Sequence, residues 1–171
     1  MKKTLAVTLI LLISTALFGC SNFQNVVPDP VETNPAVYEN SQYGFNFSLP
    51  DSWIGYSIVE GKWEGLSLVD AQNGKVVESG PIISIRHPKW TSDKPRQDIP
   101  IMVFTLAQWT SLANEEFSVG AAPIPPTELG RNSKYVFALP ARYNYAYLTG
   151  FEEVQTILDG SPLKPTEEIG K

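Results

Sequence analysis

From Tyr43 to Leu49 the chain alternates. Tyr43, Phe45, Phe47 and Leu49 are apolar, and Gly44, Asn46 and Ser48 between them are small or polar. A period of two places the four large side chains on one face of an extended strand, whereas a helix would scatter them around its axis. Such a strand needs a core under one face and hydrogen-bonding neighbours along its edges, so a chain that carries it must build a sheet.

The stretch that follows supplies candidate neighbours. Pro50-Asp51 marks a turn, and Trp53 to Val59 reads as a second strand. Leu66 to Val69 and Lys75 to Glu78 flank Asn73-Gly74, a dipeptide suited to the positive φ angles of a tight hairpin. Ile82 to Arg86 reads as a strand stopped at His87-Pro88, and Pro100 to Phe104 as a short apolar strand.

The period then lengthens. Leu106, Trp109, Leu112, Ala113 and Phe117 recur at helical spacing, which predicts a helix over 105–117. Pro123, Pro125 and Pro126 make 120–130 irregular. Tyr135 to Leu139 and Ala141 to Leu148 read as strands on either side of Pro140. Phe151 to Leu158 reads as a helix, with Glu152 and Glu153 in the first turn and Gly160 and Pro162 beyond its end. The expectation is an α+β fold: an antiparallel sheet of about six or seven strands packed on one face with two or three helices. It spans residues 38–163, and 164–171 form a C-terminal tail.

Ahead of this region the chain has a different character. Lys2 and Lys3 precede an almost wholly apolar run from Leu5 to Phe18, and no acidic residue occurs before Asp29. A basic start and a short apolar run form the layout of an export signal. The run is shorter than the roughly 20 residues a membrane-spanning helix needs. It ends in Leu17-Phe18-Gly19-Cys20, which resembles the lipobox of bacterial lipoprotein precursors. Leu17, Gly19 and Cys20 match, and Phe18 is bulkier than the residue usual there. The resemblance implies that residues 1–19 are a signal peptide and that Cys20 receives a diacylglycerol before cleavage on its amino side. The protein would then be lipid-anchored and extracytoplasmic, at the cell membrane or outer membrane. Cys20 is the one cysteine of the chain, so it has no internal disulfide partner. Residues 20–37 carry Pro28, Pro30 and Pro35 without an apolar period and read as a tether. Fully extended, that tether reaches roughly 50 Å at ~3.1 Å per residue.

Loss of residues 1–19 removes two of the 13 basic side chains, Lys2 and Lys3, leaving 11 against 18 acidic ones and a formal charge of −7. That balance argues against nucleic-acid binding, which requires phosphate neutralisation, and against lying flat on an anionic bilayer. The segment Tyr43-Gly44-Phe45, Phe47, Leu49-Pro50 and Trp53 resembles the opening hairpin of PsbP-like and Mog1-like domains. The resemblance implies an antiparallel sheet packed with helices and, in outline, a role in binding or assembly. It implies no shared active site.

The residues that carry chemistry are few. Zinc and other metal sites require convergent His, Cys, Asp or Glu side chains. The chain has a single histidine, His87, and the resemblance assigns its one cysteine to the lipid, so no metal or cofactor is expected. A hydrolytic nucleophile system would have to use His87 as its base, and there is no Gly-x-Ser-x-Gly elbow. Glu115-Glu116 and Glu152-Glu153 are neighbours on helices and diverge, unlike the facing carboxylates of a glycosidase. The expectation is therefore a non-enzymatic binding or assembly module, with a small envelope hydrolase as the alternative.

Two segments are candidate contacts for an envelope protein or an anionic polymer. One is the run from Arg86 to Arg96, where Arg86, His87, Lys89, Lys94 and Arg96 surround Trp90 and only Asp93 opposes them. The bland reading is a solvated loop with Trp90 folded onto the core. The other is Tyr143, Tyr145 and Tyr147, which would share one face of a strand over 141–148 and form a stacking platform. The bland reading puts them on the core face of that strand.

Overall fold

The computed structural model describes residues 36–69, 72–120 and 124–167. The expected signal peptide, Cys20 and all but two residues of the expected 20–37 tether lie outside the described residues. The chain is α+β. A six-stranded antiparallel sheet runs in the order β6-β3-β4-β5-β8-β7, and a smaller sheet runs β1-β2-β9. The strands are β1 (Ala36–Asn40), β2 (Phe45–Leu49), β3 (Ser57–Ser67), β4 (Val76–Arg86), β5 (Ile99–Thr105), β6 (Phe117–Val119), β7 (Thr127–Arg131), β8 (Tyr135–Leu139) and β9 (Leu163–Pro165). The helices are α1 (Leu106–Ala113) and α2 (Phe151–Asp159).

The alternation of 43–49 lies largely in β2. Phe45, Phe47 and Leu49 are buried, and Ser48 is exposed. The two strands expected around Asn73-Gly74 do pair, as β3 and β4, antiparallel from Ser57↔Arg86 to Leu66↔Val76, but not through a tight two-residue turn. β3 ends at Ser67, so Leu68 and Val69 lie beyond it, β4 begins at Val76, and Gly74 at φ +78° turns left-handed while Asn73 does not.

Both faces of the large sheet are covered. On one face Ile83, Ile85, Ile99, Ile101, Val103 and Phe137 pack with the small sheet and with Val154 of α2. On the other, Trp63, Met102, Phe104, Val136 and Ala138 pack with Phe117 and Val119 under Trp109 and Leu112 of α1. Consecutive residues of β5 point to opposite faces, which is why Ile99 to Phe104, apart from Pro100, are all buried. The helices, expected on one face, lie on opposite faces of the large sheet, one with each core.

Several boundaries differ from expectation, each for a physical reason. Trp53 belongs to a 3-10 turn, Asp51–Trp53, and β3 begins only at Ser57, because Gly55 at φ +86° breaks the extension. Helix α1 stops at Ala113. Asn114 caps it and Glu115 turns left-handed at φ +59°, so Phe117 falls in β6 opposite Ser67. Residues 127–130, expected to be irregular, form β7 together with Arg131. Ala36 and Val37, assigned to the tether, open β1, and Lys164 and Pro165, assigned to the tail, lie in β9.

The largest correction concerns 141–148, which is not a strand. Pro140 ends β8, and the chain then makes successive tight turns. The Tyr143 amide donates to Pro140 O, that of Tyr145 to Arg142 O and that of Tyr147 to Asn144 O, at 3.3, 3.0 and 2.9 Å. Arg142 and Tyr147 take left-handed φ values of +55° and +47°, which no strand accommodates.

Candidate functional site

The two segments singled out by sequence meet at one end of the large sheet. The connection from β4 to β5 carries His87 to Asp98, and the turns after β8 lead to Gly150, the residue that opens α2. Arg96 and Thr149 form an isolated parallel bridge. Gln97, 6 % exposed, is the clasp. Its amide donates to Thr149 O at 3.0 Å, and its side-chain Nε2 donates to Asp98 O and Tyr143 O at 3.0 and 3.1 Å. A buried amide that satisfies backbone groups on two loops fixes them relative to each other.

The arginines of the basic run are engaged inside the protein. Arg86 grips Asp98 with two nitrogens, Nε at 3.1–3.2 Å and Nη2 at 2.7 Å, and its guanidinium carbon lies 3.9 Å from the Trp90 ring centroid. Arg96 pairs with Glu153 at 3.3 Å, and the other oxygen of Glu153 accepts from Ser52 Oγ at 2.6 Å. Gly150 is needed beneath this pair. It caps α2 at φ +86°, and a Cβ there would stand 2.9 Å from Arg96 Nη2. Arg96 is therefore a structural tie between the β4–β5 connection and α2, with its side chain still 21 % exposed. What remains positive and exposed in the loop is Lys89 and Lys94, beside the half-buried Trp90. A tight turn holds Lys94, whose amide donates to both Thr91 O and Thr91 Oγ1 at 3.1 Å.

The three tyrosines separate. Tyr143 packs against the core and its hydroxyl donates to Gln155 Oε1 at 3.2 Å; burial raises its pKa above the ordinary tyrosine value. Tyr145 and Tyr147 project outward, 78 % and 70 % exposed, and Tyr147 rests edge-on against Phe151 at 5.1 Å. Tyr145 and Tyr147 are thus exposed, whereas Tyr143 is half-buried.

His87 lies beneath this surface, 3 % exposed, with its ring 4.9 Å from that of Trp53 and nearly perpendicular to it. Its Nδ1 accepts from the Lys89 amide at 3.0 Å, so the histidine closes a local turn. Among the described residues no serine or carboxylate hydrogen-bonds it, and the arrangement that a histidine-activated nucleophile requires is not assembled there. Burial first, and the nearby Arg96 second, hold its pKa below the ordinary histidine value, with Glu153 acting in the opposite sense. Folding thus favours the neutral ring. The stability this contributes is complete above the unfolded-state pKa of about 6.5 and is lost as pH falls from there toward the lowered folded value. Denaturant unfolding at pH 7.5 and 5.5 will show the parent losing stability between the two, and His87→Gln losing less. An equal loss in both would contradict the assignment.

One feature had no sequence signal. A groove of about 610 Å³ lies between the end of α1, β6 and the bend before β7, and Leu66, Leu112, Phe117, Ile124 and Pro126 are among its walls. Its parts come from four separate stretches of chain, so no motif announces it. Among the described residues no three His, Cys, Asp or Glu side chains are grouped to hold a metal ion. Nor is any helix among them long and apolar enough to cross a membrane. Scans of protein-family models, of curated proteins and of solved structures returned no match to this chain.

Proposed function

We propose that this protein is a lipid-anchored module of the bacterial cell envelope that binds another envelope component through the surface shared by the β4–β5 connection and the turns after β8. Cys20 carries the anchor and the 20–37 segment supplies reach. The partner contacts are Lys89, Lys94, Tyr145, Tyr147 and the open part of Trp90.

One observation carries this reading. Gln97, Arg96 and Glu153 lock two loops together from below, while Lys89, Lys94, Tyr145 and Tyr147 stand exposed above them, with Arg142 adding positive charge and Asp93 opposing it. A rigid underside with aromatic and cationic side chains above it is how contact surfaces reduce the entropic cost of binding, and tyrosine is enriched among residues that dominate binding energy. The lysines of an acidic protein select an acidic patch or an anionic polymer. In-cell crosslinking of the full-length protein followed by mass spectrometry tests the proposal. The same partner should recur across replicates, through crosslinks that map to 89–94 and 145–147. Crosslinks confined to other faces would refute it.

A further inference from the structure

Among the described residues the large sheet has one long edge without a neighbouring strand. Strand β3 has 11 residues, yet β6 pairs only with Gly65, Leu66 and Ser67. Among the described residues nothing pairs with the outer side of Ser57 to Glu64. The alternation of hydrogen bonds shows which backbone groups face that side. The Ser67 amide donates to Lys75 O and its carbonyl accepts from Gly74, both toward β4, whereas the Leu68 amide donates to Glu116 O, toward β6. Odd-numbered residues of β3 therefore bond to β4, and Ile58, Glu60, Lys62 and Glu64 direct their N–H and C=O groups outward. Pro81 agrees with this assignment. It stands opposite Lys62, so its missing N–H would point away from β3, and the β4–β5 ladder starts only at Ile82.

Proteins usually blunt such an edge with proline, a bulge, a very short strand or charged side chains such as lysine. The opposite edge strand, β7, is short and carries a bulge between Glu128 and Gly130. From Ser57 to Glu64 there is no proline and no bulge, and the charges it carries, Glu60, Lys62 and Glu64, differ in sign, so they repel some pairings and complement others. We infer that this edge receives a second copy of the same chain, the two β3 strands pairing antiparallel about Gly61.

The register follows from the side chains. Centring on Gly61 pairs the whole outward-facing stretch from Ile58 to Glu64 with its mate. Glu60 then stands opposite Lys62 of the partner subunit, and Lys62 opposite the partner's Glu60. Neither Glu60 nor Lys62 belongs to an ion pair among the described residues. Centring on Glu60 would oppose two glutamates, and centring on Lys62 would oppose two lysines and set Glu60 against the partner's Glu64. Like charges directly opposed destabilise a sheet, and opposite charges stabilise it. A side chain can be placed at Gly61 without displacing any part of this chain, because a Cβ added there meets nothing within 4 Å.

Gly61→Cys in the full-length chain tests this, with mild oxidation of membranes from producing cells. Residues facing each other at such a non-hydrogen-bonded position have Cβ atoms about 4.5–5.5 Å apart, within a small adjustment of disulfide geometry. The parent, with Cys20 as its one cysteine, is the control. We expect a disulfide-linked dimer from Gly61→Cys and little from Val59→Cys, whose mate lies four residues along the strand, roughly 14 Å away. Adding Lys62→Glu should weaken the dimer roughly tenfold, and adding Glu60→Lys as well should restore it. Sedimentation of the unmodified full-length protein in detergent checks that the dimer forms without the cysteine. A monomer there, equal linkage through Val59→Cys, or indifference to the charge reversal would each overturn the inference.

Discussion

Trp63→Ala will unfold this protein at a temperature roughly 10–15 °C below that of the parent, a shift readable by circular dichroism. The indole is 3 % exposed and stacks on Phe104 at 4.4 Å and on Phe117 at 6.1 Å. Its Nε1–H donates to Val103 O at 2.9 Å, a bond 40 residues apart in sequence. Truncation removes the ring and leaves a cavity, at about 3–5 kcal/mol for a buried tryptophan. Loss of the donor leaves the Val103 carbonyl unpaired and adds on the order of 1 kcal/mol. Against a total stability of roughly 5–15 kcal/mol this is a large share. Gly80 provides an internal check. A Cβ there would sit 2.6 Å from three atoms of the indole, so Gly80→Ala should be costly in the parent and nearly neutral once Trp63 is alanine. Equal costs in both backgrounds would show that the ring does not require the glycine.

The second large effect concerns binding. Changing Lys89, Lys94, Tyr145 and Tyr147 together to alanine should cut recovery of the crosslinked partner roughly thirtyfold or more. Tyrosines at the centre of an interface often cost about 2 kcal/mol each on truncation, and every 1.4 kcal/mol is tenfold in affinity. The same variant should keep its fold, because exposed substitutions usually shift stability by within about 0.5 kcal/mol. Tyr147 costs somewhat more, through its contact with Phe151. Arg96 behaves in the opposite way. Arg96→Ala strips Glu153 of its cation and loosens the start of α2, so it acts on stability first. Undiminished recovery from the four-residue variant would move the contact surface elsewhere.

These predictions also mark what sequence carries and what it does not. The alternation in 45–49, the strand pairing around Asn73-Gly74 and α2 were legible, because each is encoded by neighbouring residues. The end of α1 was not. Phe117 satisfies both a helical count, four residues on from Ala113, and a place in β6, and only the left-handed turn at Glu115 decides between them. The tyrosines misled for a related reason. Side chains two apart mimic a strand, but Pro140 and two left-handed residues fold that stretch into turns. Arg96 looked like a free cation because its partner Glu153 is 57 positions away. Gln97, the buried clasp, had no sequence signature, since an isolated glutamine in a polar loop is ordinarily exposed.

The binding proposal depends on where the protein resides, and that depends on Cys20. Two acyl chains hold a protein durably at a bilayer, whereas an acidic domain has little affinity of its own. Metabolic labelling with a fatty acid, followed by membrane fractionation of the parent and of Cys20→Ala, is the direct measurement. The account predicts label and membrane association in the parent and neither in the variant. Equal labelling of the two, or a Cys20→Ala protein that still fractionates wholly with the membrane, would contradict it.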